Sequence, residues 1–191
     1  MNSMDVILSL CVGIGLSAAC GFRVFVPLLI LSIAARTGHV TLAPAFQWLG
    51  SDIALGTFAV ATVLEIAGYY IPWFDHLLDV IATPAAITAG IIITASMVGG
   101  MSPFLKWTLA VIAGGGAAGA VHATTALTRG FSTATTGGIG NPLFATIELS
   151  GSLVTSILAV VAPVFAIVIL ALILLLVAKK VVPKFRKPRA G

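Results

Sequence analysis

The 191-residue chain is 59% hydrophobic and only 8% charged, with a mean hydropathy of +1.15, whereas a soluble domain carries about 25% charge. A surface so poor in charge cannot face water, which excludes a soluble enzyme, a nucleic-acid-binding domain and a disordered tail carrier. The formal charge of +4 belongs to one end: six of the ten Lys and Arg residues (Lys179, Lys180, Lys184, Arg186, Lys187, Arg189) fall in positions 179–191, and the rest of the chain has four basic against six acidic residues.

At roughly 20 residues per span, the apolar runs predict an all-α polytopic membrane protein of about six transmembrane helices. The first run, about Val6 to Ala35, is long for one span and is interrupted by Gly21, Arg23 and Pro27. It reads as a span rather than a cleaved signal, because no positive stretch precedes it and it continues past Cys20. Cys11 and Cys20 share it without a CxxC, so neither a disulfide framework nor a metal site follows. The second span covers about Ile53 to Ile71, and Pro72 to Thr83, with Trp73, Asp75, His76 and Asp79, suits an interfacial turn. The third runs from Pro84 to Gly100 and the fourth from Pro103 to about Leu127. After the polar, glycine-rich stretch Ser132–Asn141, the run from Pro142 to Val177 is too long for one helix and divides at Ala162-Pro163 into a fifth and a sixth. Residues 1–178 are thus expected to form one transmembrane domain, followed by a basic tail, 179–191. Six spans put both termini on one side, and the tail makes that side cytoplasmic, in a bacterial inner membrane; Arg36 and Lys106 then fall outside and Arg129 inside. The tail also suits anionic lipid headgroups, and nucleic acid is not expected as a partner.

Three landmarks occur twice in the same order. The two glutamates of the chain sit in Leu64-Glu65-Ile66-Ala67-Gly68 and Ile147-Glu148-Leu149-Ser150-Gly151; a small-residue stretch ending in a basic side chain precedes each (Ala18 to Arg23, Ala117 to His122); and Thr83-Pro84 and Ala162-Pro163 follow. This predicts two three-helix repeats, about 5–100 and 103–178, with interrupted helices. Three spans end opposite to where they begin, so the second repeat must be inverted, an architecture common among transporters.

An ionisable side chain inside a span costs roughly 2.5–3.5 kcal/mol on insertion scales. Arg23, Glu65, His122 and Glu148 are therefore the candidate solute or ion pathway, with Arg23 expected against Glu65 and His122 against Glu148; structural salt bridges and solvation at span ends are the alternatives. Gly21, Gly137, Gly138 and Gly140 permit positive φ or close backbone approach, and Asn141-Pro142 suits a helix start with Asn141 as cap; the alternative for this stretch is an ordinary flexible loop. Gly115 and Gly119 lie on a small-residue face of the fourth span, which means close helix packing or a homodimer seam. Ser132, Thr135 and Thr136 are nucleophile types with no base or metal placed to activate them, so no catalytic residue, metal or cofactor is expected.

The run Ala19-Cys20-Gly21-Phe22-Arg23-Val24-Phe25-Val26-Pro27, with Trp48-Leu49-Gly50-Ser51, Ile71-Pro72, Asp75 and Leu77-Leu78-Asp79, resembles a bacterial family of small integral membrane proteins catalogued as domain of unknown function 4126. Val121-His122, Ser132 to Gly138 and Asn141-Pro142 carry the resemblance further. It extends over roughly residues 10–165, leaves the sixth span and tail largely outside, and implies a multi-span protein without assigning an activity. The function expected from the residues is that of a small inverted-repeat transporter or channel for a small polar solute or ion. The alternative is a structural or accessory membrane protein that binds a lipid or protein partner.

Overall fold

The computed structural model describes residues 3–137 and 140–185. Eight α-helices make up most of it: α1 (Ser3–Cys20), α2 (Phe25–Arg36), α3 (Asp52–Tyr69), α4 (Pro72–Met97), α5 (Pro103–Leu109), α6 (Gly116–Thr136), α7 (Asn141–Val161) and α8 (Pro163–Phe185). A 3-10 turn, Pro44–Gly50, precedes α3, and a π-helical stretch, Ala110–Gly115, joins α5 to α6. Among the described residues, four stretches are long and apolar enough to cross a membrane: Asp52–Tyr69, Val80–Met97, Pro103–Thr136 and Asn141–Val161. Prolines open α4, α5 and α8, where a missing N–H costs nothing. The Ser51 and Ser102 hydroxyls accept the Ala54 and Leu105 N–H groups to start α3 and α5.

The burial pattern is that of a body immersed in lipid. Val60, Val63 and Leu64 of α3, Val154 and Ile157 of α7 and Leu172 and Ile173 of α8 face outward, while Ser17, Thr94, Ser152 and Ser156 are completely buried. Water would expel those apolar faces; hydrocarbon does not. The chain is built as an integral membrane protein.

Contacts fix the direction of each helix. Gly13 of α1 packs on Thr94 and Met97 of α4, and the Ser17 hydroxyl donates to the Gly90 carbonyl at 2.7 Å, so α1 and α4 are antiparallel. On α7, Ala159 lies against Gly15 and the Ser152 hydroxyl donates to the Ala19 carbonyl, so α7 also opposes α1. Glycines make these approaches possible: a Cβ on Gly90 would stand 2.8 Å from the Gly114 carbonyl, and one on Gly115 would press on Ile91 at 3.0 Å. Gly115 and Gly119 thus pack on Ile87 and Ile91 of α4, the close helix packing that a small-residue face permits.

The first apolar run differs from the expected single interrupted span. The segment that follows α2 lines the same cavity as Asp5, Leu8 and Ser9 of α1, through His39 to Pro44, and the Ala43 N–H donates to the Ser96 carbonyl at the end of α4. The chain therefore turns back at Gly21–Val24, and α1 and α2 form a helical hairpin. The helix α3 opposes α2 in turn, since Arg36 pairs with Asp52 at one end and Glu65 meets Val24 at the other. With this extra reversal Ser3 and the end of α8 lie at opposite ends of the described body, whereas six spans would have placed both ends on one side.

Three other boundaries move. The expected interfacial turn from Pro72 is the first half of α4, which runs on through Pro84. The fourth span does not stop near Leu127; helix continues to Thr136 and takes up much of the stretch expected to be an irregular loop. The hydroxyls of Thr124, Thr128, Thr135 and Thr136 donate to carbonyls four residues back, so these four are satisfied within the helix. The π-helical turn falls where Gly114 meets Thr94 and Gly90 of α4, a local widening of the kind found at close contacts and functional sites. The break at Ala162-Pro163 is where the sequence put it. The helix α8 includes Lys179, Lys180 and Lys184, and the remaining tail cations lie outside the described residues.

Candidate functional site

The turn between α1 and α2 is the centre of the site. Its first residue, Gly21, lies so close to α6 that a Cβ would stand 2.6 Å from both the Ala118 carbonyl oxygen and the Val121 Cβ. The Gly21 carbonyl accepts from His122 Nδ1 at 3.3 Å, and Thr125 Oγ1 reaches it at 3.4 Å. His122 therefore holds the turn, rather than pairing with Glu148 as expected.

Glu65 reaches the turn from α3. Its Oε1 accepts the Val24 N–H at 2.7 Å and its Oε2 the Phe25 N–H at 3.1 Å. Both groups belong to the first turn of α2, whose N–H groups have no partner within the helix. The carboxylate meets that need and sits at the positive end of the helix dipole. Glu65 is 7% exposed, which removes solvation at a span end as its explanation.

Arg23 is 2% exposed and reaches the second half of the chain. Its Nη2 donates to the Ala145 carbonyl of α7 at 3.0 Å and lies 3.7 Å from Glu148 Oε2. The guanidinium carbon stands 3.7 Å from the centre of the Tyr69 ring, and that of Arg129 4.3 Å from the same ring. Arg129, on α6, holds Glu148 with two contacts, Nε to Oε1 at 2.8 Å and Nη2 to Oε2. The expected Arg23–Glu65 and His122–Glu148 pairs are thus replaced by two arginines on Glu148 and a backbone cradle for Glu65.

This arrangement brings Gly21, Arg23, Glu65, His122 and Glu148 to one buried place. The remaining candidates shape the turn between α6 and α7. Gly137 ends α6 at a φ of 64°, the left-handed position that glycine favours. Gly140 needs closeness rather than positive φ: its φ is −77° and a Cβ would stand 2.8 Å from Ser132 Oγ. Gly138 lies outside the described residues. Asn141 is the first residue of α7 with Gly140 as cap, one position from the expected start, and its Oδ1 accepts from Thr133 at 3.3 Å.

Sequence reasoning missed Arg129 and Tyr69. Hydropathy ends the fourth span before Arg129, but the helical period does not: Ala118, Val121, His122, Arg129 and Ser132 are all buried on α6. Following that period past Leu127 would have found it. Tyr69, near the end of a span, reads by position as an interfacial aromatic.

A family model described as Domain of unknown function (DUF4126) matches residues 10–182. The chain belongs to the DUF4126 family. The match reaches beyond the expected limit near residue 165 and takes in most of α8. No curated protein and no solved structure matches the chain.

Proposed function

We propose that this DUF4126 protein is a small membrane transporter or channel that moves a small polar solute or ion past the charged centre at the α1–α2 turn. One observation carries the reading: ionisable side chains from distant parts of the chain, Arg23 and Glu65 from one half and Arg129 and Glu148 from the other, converge on a single buried turn. Such residues inside a membrane mark solute and ion pathways. The opposed directions of α2–α4 and α6–α8, with a glutamate on the middle helix of each set, support two inverted copies of one unit, the arrangement that lets a carrier open alternately to either side.

A cavity of about 750 Å³ at the Ser3 end supports the same reading as an outer mouth, with Asp5, Ser9, His39, Thr41 and Gln47 supplying polar groups to its wall. From its edge at Val160, the buried face of α7 descends through Ser156 and Ser152 to Glu148. In the state described here α7 packs on α1 along that route, with Ala159 against Gly15 and Ser152 bonded to the Ala19 carbonyl, and the Arg129–Glu148 pair lies beyond it; opening must part these contacts. With the basic tail on the cytoplasmic side of a bacterial inner membrane, the mouth opens outward.

The test is solute flux in proteoliposomes across a panel of small ions and neutral solutes. Wild-type protein should pass at least one of them, and Glu65→Gln should abolish that flux while the protein still folds; unchanged flux in the variant removes Glu65 from the mechanism. A structural or accessory membrane protein is the second reading, favoured by the way Arg129 and Glu148 satisfy each other. It expects no flux of any solute, together with full function in the reversed pair Arg129→Glu/Glu148→Arg.

A further inference from the structure

The donors and acceptors around the α1–α2 turn do not balance. Each oxygen of Glu148 already holds an Arg129 nitrogen, and each oxygen of Glu65 holds a backbone N–H. The Arg23 guanidinium has spent only Nη2; its Nε and Nη1 are buried and have no hydrogen-bond partner. One flat face of the group is taken by Tyr69, which offers π density but no acceptor in the plane of those N–H bonds. The buried residue therefore keeps a permanent positive charge and in-plane donors that nothing accepts, a combination that folded proteins rarely leave unresolved.

We propose that Arg23 is the recognition point for a small free anion, a halide, carboxylate or phosphate-type oxyanion, which accepts from its Nε and Nη1. A cation would meet two guanidiniums at this place and find the carboxylate oxygens engaged. A neutral solute could accept from the same N–H groups but would gain nothing from the charge of two guanidiniums that share the single carboxylate of Glu148. When Glu148 releases Arg129 on opening, the second guanidinium becomes available to the same anion. This inference rests on the transport reading for its purpose, but the binding step stands without it.

The experiment is thermal unfolding of purified protein in phospholipid-free detergent, titrated with chloride, acetate or inorganic phosphate. Ionic strength is held constant with a bulky sulfonate. A ligand that binds the folded state raises the midpoint with its concentration. At least one of the three anions should raise it saturably in wild type. The apparent Kd should weaken at least tenfold in Arg23→Gln and by less in Arg23→Lys, which keeps charge without the planar fork; exchange of sodium for choline should change nothing. Should Arg23→Gln fail to fold, the Arg23→Lys comparison decides alone. The proposal is overturned if no anion acts, if both variants respond as wild type does, or if only a short-chain phospholipid shifts the midpoint, which would assign the site to a headgroup phosphate. Anion binding without flux in proteoliposomes would remove the transport reading and leave the site; cation flux without an anion effect would do the reverse.

Discussion

Glu148 holds Arg129 with both oxygens while Arg23 stands 3.7 Å from one of them, so Glu148→Ala would leave two buried guanidiniums beside one tyrosine ring with no carboxylate between them. Breaking a buried pair from one side costs about 3–5 kcal/mol, and a loss of that size is expected as a midpoint shift in denaturant titration. Removing the partner as well, Arg129→Met in the Glu148→Ala background, should recover more than half of it; a single-variant loss below about 1 kcal/mol would mean that water already solvates the pair. Glu65 stabilises differently, through the Val24 and Phe25 amides, so Glu65→Ala should speed hydrogen exchange at those two amides by roughly tenfold, the equivalent of about one hydrogen bond. Unchanged exchange there would show that the carboxylate is not what closes the start of α2. The scarcity of charge made Arg23, Glu65 and Glu148 legible in the sequence. Their partners were not, because pairing depends on which helices meet, and hydropathy does not encode that.

Among the elements, the α1–α2 hairpin was the least legible. Thirty mostly apolar residues with a break at Gly21 and Arg23 describe a kinked span and a hairpin equally well, since composition along a chain carries no direction. The π-helical turn and the helical course of the threonine-rich segment were hidden for a related reason: both depend on contacts with α4 or on local hydroxyl bonds. The break before Pro163 was legible because a proline in a run too long for one span leaves few alternatives. The hairpin makes two demands that can be measured. Gly21→Ala must displace the turn from α6, with an expected loss of about 1–3 kcal/mol, whereas Gly56→Ala on α3, where nothing lies within 4 Å, should be neutral or stabilising by up to about 1 kcal/mol through helix propensity. Equal effects at the two glycines would argue against the packed turn. In a background with Cys11 and Cys20 replaced by alanine, Asp5→Cys and Lys179→Cys should react with a membrane-impermeant maleimide from opposite faces of oriented vesicles. Labelling of both from one face would restore the six-span topology.

For the whole molecule, membrane residence was legible from the first numbers: lipid sets an overall requirement for apolar surface, and 59% hydrophobic residues meet it. The same requirement predicts that a lysine at Val154, exposed near the middle of α7, costs roughly 2.5–3.5 kcal/mol of insertion free energy, seen as reduced membrane yield. A lysine at Gln47, in the wall of the open cavity, should insert normally. Reduced yield in both would place that cavity within hydrocarbon.

The placement of Ser3 and the end of α8 at opposite ends of the described body also limits how copies can be strung together. A linker from the end of α8 in one copy starts on the face opposite to where α1 of a following copy begins, so a head-to-tail tandem gene cannot be made with a soluble connector alone. It needs one additional membrane-crossing helix between the copies, or the second copy is forced to insert upside down, and a fused pair would then display its two Asp5–Gln47 cavities on opposite surfaces.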